Sequence, residues 1–329
     1  MKICIFGTGA VAGLAGARMA RGGVEDLSFV ARGAHLDAIR KKGLTVRDRS
    51  GEWAVPVTAT DDTAALGPQD VVIIGLKAHT VRAALDQIAP LIGPETVIVP
   101  TLNGIPWWYF HALPGDRPAP YLESVDPGGH IWDTLGPEKA LGCVVYVASN
   151  IPEPGVIEHN NGGTYLVGEP NGSQSERGKR VAALFERGDL RSPLSSNIRA
   201  EVWTKLWGNL TGNPLSVLCQ ATCEMLARDE AVRNLMADMI TEAQQVAQAT
   251  GADVKADIAE RLDTFERLGP VKTSMLQDFD AGKTIELDAL LGVICELGRL
   301  SGIETPQCSL VYALTRLKAT AAGCYQPPA

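Results

Sequence analysis

Six residues near the start of the chain, Gly7-Thr8-Gly9-Ala10-Val11-Ala12, constrain its fold more than any other stretch. They follow the apolar run Lys2-Ile-Cys-Ile-Phe6 without a spacer and open a segment, 10–21, rich in Ala, Leu, Met and Arg. The run reads as a buried parallel strand and the segment as a helix. A G-x-G-x-x-A turn between such a strand and such a helix is the context that gives the motif meaning. Gly7 permits the tight turn, Gly9 lets the backbone approach a pyrophosphate, and Ala12 allows helix and strand to pack closely. The helix N-terminus then offers N–H groups and partial positive charge to an anion. Gly7, Thr8, Gly9, Ala10, Val11 and Ala12 are therefore the first candidate cofactor-binding residues.

The pattern repeats along the chain. Residues 27–31 read as a second strand, 33–42 as a helix, and 44–58, with Gly51, as a small hairpin. Asp70-Val-Val-Ile-Ile-Gly-Leu-Lys77 is a third buried strand, 79–91 a helix, and Thr96-Val-Ile-Val-Pro-Thr-Leu-Asn103 a fourth strand. Strands alternating with helices imply an α/β fold with a doubly wound parallel sheet. Residues 139–168 read as late strands of the same domain. After Ser195-Ser196-Asn197 the periodicity turns helical, over 197–250, 253–268, 284–301 and 306–322. Two domains are expected: 1–194, binding the dinucleotide, and 195–329, all-helical.

Composition narrows the function classes. With 30 basic and 38 acidic residues the net charge is −8, which argues against a nucleic-acid partner or a polybasic membrane surface. No apolar run approaches the roughly 18–20 residues needed to span a bilayer, and no signal peptide is recognisable. The seven cysteines include no C-x-x-C pair, so neither a disulfide framework nor a zinc site is expected. Reduced thiols in a cytoplasmic protein are the expectation. The five histidines show no ligand spacing, and no metal is expected.

In open α/β sheets, ligands bind outside the carboxyl ends of the strands. The second strand ends at Arg32, where an NAD-preferring site usually carries an acid. A guanidinium there suits a 2′-phosphate, so NADP is favoured. Lys77 and Asn103-Gly104 follow the third and fourth strands and are further candidates to reach the cofactor.

Chemistry points to residues 203–215, Trp-Thr-Lys-Leu-Trp-Gly-Asn-Leu-Thr-Gly-Asn-Pro-Leu. Lys205, Asn209 and Asn213 recur every four residues and line one helix face. Trp203, Leu206, Trp207 and Leu210 imply burial beside them. Amides buried without partners cost about 1–3 kcal/mol each, and a bound polar substrate would supply partners. A desolvated lysine there has a lowered pKa and can donate a proton near neutrality. Glu286, by pattern alone, reads as an acid in the first turn of a helix capped by Thr284, complementing the helix dipole.

Taken in order, the strand-GxGAxxG turn, Leu-Lys77, Leu-Asn103-Gly104, Trp203-x-Lys205-Leu-x-x-Asn209-x-x-x-Asn213-Pro, Thr273-Ser274-Met-Leu-Gln-Asp278 and Ile285-Glu286-Leu-Asp288 resemble the ketopantoate reductase family over nearly the whole chain. The resemblance implies a Rossmann-type domain followed by a helical one, and NADPH-dependent reduction of 2-dehydropantoate to pantoate by hydride transfer to the C2 keto group. It implies Lys205 as general acid and Glu286 as the active-site glutamate, in place of the dipole reading. It implies Asn103, Asn209, Asn213 and Ser274 as residues that bond substrate or cofactor, and it extends to a homodimer.

Two departures bear on the substrate. Val271 and Cys223 stand where many family members have asparagines associated with recognition of the substrate hydroxyl. An apolar replacement should relax that choice, so a different, bulkier 2-keto acid is an alternative; a non-catalytic NADPH-binding sensor is a third. The segment between Asn103-Gly104 and Leu141-Gly142 is also about 15–18 residues longer than in simple members. It carries Pro106-Trp-Trp-Tyr-Phe-His111 and Gly128-Gly-His-Ile-Trp132. Lining the pocket, forming a lid, making a subunit contact and packing as a satellite cluster are all open to it, and His130 is a remote catalytic candidate.

Overall fold

A computed structural model describes residues 1–113 and 120–327, and the chain divides into two compact units. The first comprises Met1–Leu102 and His130–Ile198. Its elements begin with β1 (Ile3–Phe6), α1 (Ala10–Arg21), β2 (Leu27–Val30), α2 (Gly33–Lys42), β3 (Leu44–Asp48), β4 (Gly51–Val55) and β5 (Thr58–Thr60). A short α3 (Thr63–Leu66), β6 (Gln69–Ile74), α4 (Leu85–Ile88) and β7 (Ile92–Pro100) follow. After the excursion into the second unit come α5 (His130–Leu135), β8 (Gly142–Glu153), β9 (Val156–Gly168), α6 (Glu176–Arg187) and β10 (Leu194–Ser195).

A five-stranded parallel sheet runs in the order β5-β2-β1-β6-β7, with Ile3 opposite Leu27 on one side and Val71 on the other. This is the doubly wound arrangement expected from alternating strands and helices. A second sheet, β10-β9-β3-β4 with β8 on β9, takes up the rest. The expected hairpin holds from Leu44 to Val55, but Thr58–Thr60 leaves it and pairs with β2 at the edge of the parallel sheet. The late strands form a long antiparallel hairpin in the second sheet. The helix expected over 79–91 breaks into 3-10 turns around α4. Pro90 lacks the N–H a helix interior needs, and Thr80 folds back so that its amide and hydroxyl both donate to the Lys77 carbonyl. Helix α6 is an element that the sequence reading leaves out. Ser175 caps it by accepting from the Gly178 amide, and Val181, Ala182, Leu184 and Phe185 form its buried face.

Helix α1 belongs to one core that also takes in both sheets and α6. Tyr165 of β9 stacks on Phe185 and donates its hydroxyl to the Val11 carbonyl at 2.7 Å, in the first turn of α1. Burial pushes that phenol upward, so it remains a donor. The other end of the turn touches β6: a Cβ built on Gly75 would lie 2.2 Å from Ala12 Cβ and 2.5 Å from the Gly7 carbonyl. The close packing expected at Ala12 therefore depends on a second small residue, Gly75. His35 of α2 ties the turn to the second sheet, with Nε2 2.9 Å from the Thr8 carbonyl and Nδ1 accepting from the Gly155 amide at 2.9 Å. These bonds assign the neutral tautomer protonated on Nε2.

The second unit, Asn103–Gly129 with Arg199–Ala329, is helical. It holds α7 (Ile198–Cys219), α8 (Cys223–Arg228), α9 (Glu230–Ala249), α10 (Ile258–Glu266), α11 (Ser274–Asp280), α12 (Val293–Ser301) and α13 (Pro306–Ala321). A π-turn, Asp288–Gly292, leads into α12. This clustering differs from the expected division at 194/195 in two places, since residues 103–129 go with the helices and 195–198 stay with the first unit. Trp107, Trp108 and Tyr109 are at most 2% exposed. The Trp203 indole N–H donates to the Tyr109 hydroxyl at 2.9 Å, and that hydroxyl lies 3.0 Å from Thr250 Oγ1. Arg199 donates to the carbonyls of Tyr109 and His111, while the Glu296 carboxylate accepts the Glu123 and Ser124 amides at 2.7 Å each. The aromatic segment is thus core of this unit. Residues 114–119 of it lie outside the described residues, and His130 is exposed at the start of α5. Among the described residues no helix is long and apolar enough to cross a membrane.

Two outcomes are expected. Gly75→Ala forces α1 away from β6 and lowers stability by about 1–3 kcal/mol, read as a lower denaturant midpoint; an unchanged midpoint would show that helix and strand separate without cost. Burial lowers the His35 pKa, against the opposing bond to Thr8. The unfolded chain then takes up this proton first as pH falls. The His35 contribution is whole above about pH 6.5 and is lost below it. The melting temperature should fall on acidification from about pH 7 to 5, and His35→Gln should flatten that slope; an identical slope in the variant would exclude the ring as its source.

Candidate active site

The glycine turn of the first unit is shaped for an approaching backbone or anion. Gly7 adopts φ +81°, and a Cβ there would meet Leu76 Cδ2 at 2.6 Å. Gly9 stands at the N-cap of α1, where a Cβ would fill the space 3.1 Å from the Gly75 carbonyl. No side chain caps the helix, and its first turn holds no acid. The amides of Ala10, Val11 and Ala12 are the first of the helix, the positions at which N–H groups lack an intrahelical acceptor. This combination of missing Cβ atoms, uncapped amides and absent negative charge fits a bound pyrophosphate. Thr8 has a different part: its amide and hydroxyl both donate to the Val30 carbonyl, at 3.0 Å each, which locks the turn onto β2.

Arg32 is the N-cap residue of α2, at the end of β2, and is exposed. Among the described residues it makes neither a hydrogen bond nor an ion pair, so its guanidinium is available to a phosphate. Lys77 is half-buried after β6, and its carbonyl anchors the following 3-10 turn.

In the second unit the structure brings Asn103 and Lys205 into direct contact, with Nζ donating to Asn103 Oδ1 at 2.7 Å. Asn103 is held in turn by its neighbours. Gly104 (φ +89°) passes so close to the π-turn that a Cβ would lie 2.1 Å from the Ala289 carbonyl, and the Ile105 amide donates to that carbonyl at 3.1 Å. The far side of the π-turn is fixed by Asp288, which accepts from the hydroxyls of Tyr312 (2.6 Å) and Tyr325 (3.1 Å). Burial raises the Asp288 carboxyl above its usual range, although the two phenols pull the other way.

Asn209 and Asn213 continue the face begun by Lys205. Asn213 is only 5% exposed, and neither amide side chain hydrogen-bonds another described residue. Pro214 follows inside α7 and removes one helical hydrogen bond there. One turn before Lys205, Glu201 extends the same four-residue register. It is half-buried, and burial raises its carboxyl. Glu201 is not among the residues expected from the sequence, although its spacing of four from Lys205 marks it.

Thr273, not an expected residue, caps α11 by accepting from the Leu276 amide. Its hydroxyl meets Ser216 of α7 at 2.6 Å. This seats the start of α11 beside the end of the polar face and places Ser274, exposed, as its first residue. Glu286 is half-buried and lies just before the N-cap of the π-turn. Thr284 is therefore not the cap, and Glu286 is not in the first helical turn as the pattern suggests. Val271 and Cys223 prove to be neighbours, with the Cys223 amide donating to the Val271 carbonyl at 3.0 Å. Val271 is 50% exposed while Cys223 is buried, its thiol pushed up to about 11 by that burial. Among the described residues no three metal-ligating side chains gather.

One unit thus offers a glycine-lined helix end with no side-chain cap, and the other a lysine oriented by an amide beside two amides that bond no described side chain. Known proteins share this chain at two levels. The sequence models described as Ketopantoate reductase PanE/ApbA and its C-terminal part match residues 3–113 and 197–319. A protein from Mesorhizobium japonicum named 2-dehydropantoate 2-reductase is 44% identical over 325 residues, 99% of this chain and all of the relative. A crystal structure from Ralstonia solanacearum MolK2, described there as a reductase of ketopantoate by assignment only, is 40% identical. It superposes with a TM-score of 0.91 over 98% of this chain and 99% of that one. A D-mandelate dehydrogenase solved with NADH and anilino(oxo)acetate shares the fold at 21% identity, with a TM-score of 0.83 over 98% of this chain and 99% of its own. By this identity along its full length, the chain belongs to the ketopantoate reductase family.

Proposed function

We propose that the protein reduces the C2 keto group of a 2-keto acid with NADPH, and that 2-dehydropantoate is the substrate, giving pantoate. The observation that carries this reading is the Lys205–Asn103 bond at the head of a face whose two amides, Asn209 and Asn213, have no side-chain hydrogen bond among the described residues. When bound, the nicotinamide supplies the hydride. The turn Gly7–Ala12 would hold its pyrophosphate, Arg32 the 2′-phosphate, and Lys77 and Asn103 would reach the rest of the cofactor. In domain terms, the 1–194 part serves the cofactor and the 195–329 part, with residues 103–129 added, serves the substrate and the proton.

Reduction leaves negative charge on the keto oxygen. Lys205 stabilises that charge as a cation and then neutralises it by donating a proton from Nζ. Asn103 Oδ1 accepts one Nζ–H of Lys205, which fixes where the ammonium points. Asn209, Asn213 and Ser274 would bond the oxygens of the keto acid, and Glu286 assists lysine and substrate. A second reading rests on Val271 and Cys223. A valine and a cysteine thiol offer an alcohol at most one weak side-chain hydrogen bond, which favours a 2-keto acid with an apolar end.

Steady-state assay with NADPH and a panel of 2-keto acids separates the two readings. Turnover of 2-dehydropantoate above all others supports the first; failure of that substrate beside efficient reduction of an apolar one transfers the assignment to the second. Lys205→Ala should lower kcat by about 10²–10⁴-fold, and a normal rate in that variant would remove the lysine from the chemistry. Arg32→Asp should raise the KM for NADPH by about 10–100-fold, the worth of a charge-assisted pair, with little change for NADH. An unaltered preference would dismiss Arg32.

A further inference from the structure

A second concave site lies in the first unit, built from the last turn of α1 rather than its first. Helix α1 is 12 residues long, so its two ends are about 17 Å apart. Beside its C-terminal end is a cleft of about 500 Å³, closed by the β3–β4 turn, the Asn160-Asn161-Gly162 stretch of β9 and the end of α6. That volume falls in the range of about 300–1,000 Å³ typical of small-molecule sites. None of the residues assigned to cofactor or substrate above lines it.

The lining is cationic in a chain of net charge −8. Four arginines, Arg18, Arg21, Arg49 and Arg187, face two acids, Asp48 and Asp189. Asp48 is used up internally: it accepts from Arg18 Nη2 at 2.9 Å, from the Ser50 amide at 2.8 Å and hydroxyl at 2.5 Å, and from Trp53 Nε1 at 3.1 Å. Its side chain is 6% exposed, so it fixes Arg18 and the turn instead of repelling an anion. Asp189 is wholly exposed and 3.9 Å from Arg18.

The other three guanidiniums have no carboxylate within ion-pair distance among the described residues. Arg21 lies 4.5 Å above the Trp53 ring, which holds it in place without neutralising it. Arg187 donates to the Gly23 carbonyl at 2.5 Å. Arg49 makes no hydrogen bond or ion pair with any described residue. Three uncompensated guanidiniums around one cleft repel one another, and a multivalent oxyanion relieves that repulsion through their paired N–H donors.

We propose that this cleft is a binding site for a small metabolite carrying two or more negative charges on phosphate or carboxylate groups, separate from the glycine turn. Its concave form, in a chain of net charge −8, selects a compact anion over a polymer.

Titration calorimetry with inorganic pyrophosphate, and in parallel with citrate, tests this on the full chain in saturating NADP⁺, which keeps the glycine turn occupied. Binding of either probe, weakened tenfold or more by Arg49→Ser and by Arg21→Ser but unchanged by Arg32→Ser, is the expected result. The tighter of the two probes identifies the ligand as a phosphate or a carboxylate compound. Arg49 makes no hydrogen bond or ion pair with any described residue, so its substitution should leave the fold intact, and circular dichroism checks this. Absence of binding at millimolar probe, binding indifferent to both Arg49 and Arg21, or binding that follows Arg32 would each overturn the proposal.

Discussion

The structure hangs on how closely α1 lies to the strands beneath it. Gly7, Gly9 and Gly75 leave out the Cβ atoms that would keep the helix start away from β1 and β6. Gly16 does the same farther along, where a Cβ would sit 2.5 Å from the Phe29 ring. With α1 drawn down on the parallel sheet, its opposite face is free to be covered by β8, β9 and α6, and one core joins both layers. Tyr165 and His35 then bond backbone carbonyls of the turn itself. The amides of the turn are thus fixed from several sides, which would limit the ordering cost of a ligand bound there.

The first four elements can be read from the sequence almost to the residue, because strand, glycine turn and helix are local patterns with sharp ends. The second sheet cannot, since β3 pairs with β9 more than 100 residues away, and alternation within a strand does not name its partner. Residues 79–91 show the reverse failure, where an apolar period suggests a helix and Pro90 with Thr80 forbids it. Helix α6 carries a legible cap in Ser175 and a clear apolar face; it goes unread beside a Gly- and Asn-rich stretch.

The lysine–amide face is legible because a period of four is a helical signature, and the same rule extends it to Glu201. That Lys205 bonds Asn103, 102 residues earlier, is not legible by spacing, nor is the chain of contacts through Gly104 and the π-turn that holds Asn103. π-turns often mark functional segments of helices, and this one is locked by Tyr312 and the C-terminal Tyr325 on Asp288. The resemblance supplies Glu286 where pattern alone points to the helix dipole, and the structure places that residue outside the helical turn on which the dipole reading rests.

The discontinuous second unit has a consequence for the birth of the protein. Trp107–Phe110 leave the ribosome early, yet the partners of Tyr109 lie 94 residues later at Trp203 and 141 residues later at Thr250. At about 5–20 residues per second, the aromatic segment waits roughly 5–30 s for them. Over that interval four consecutive aromatic side chains have no core to enter. This makes the nascent chain, rather than the finished enzyme, the form most exposed to aggregation and most in need of a chaperone.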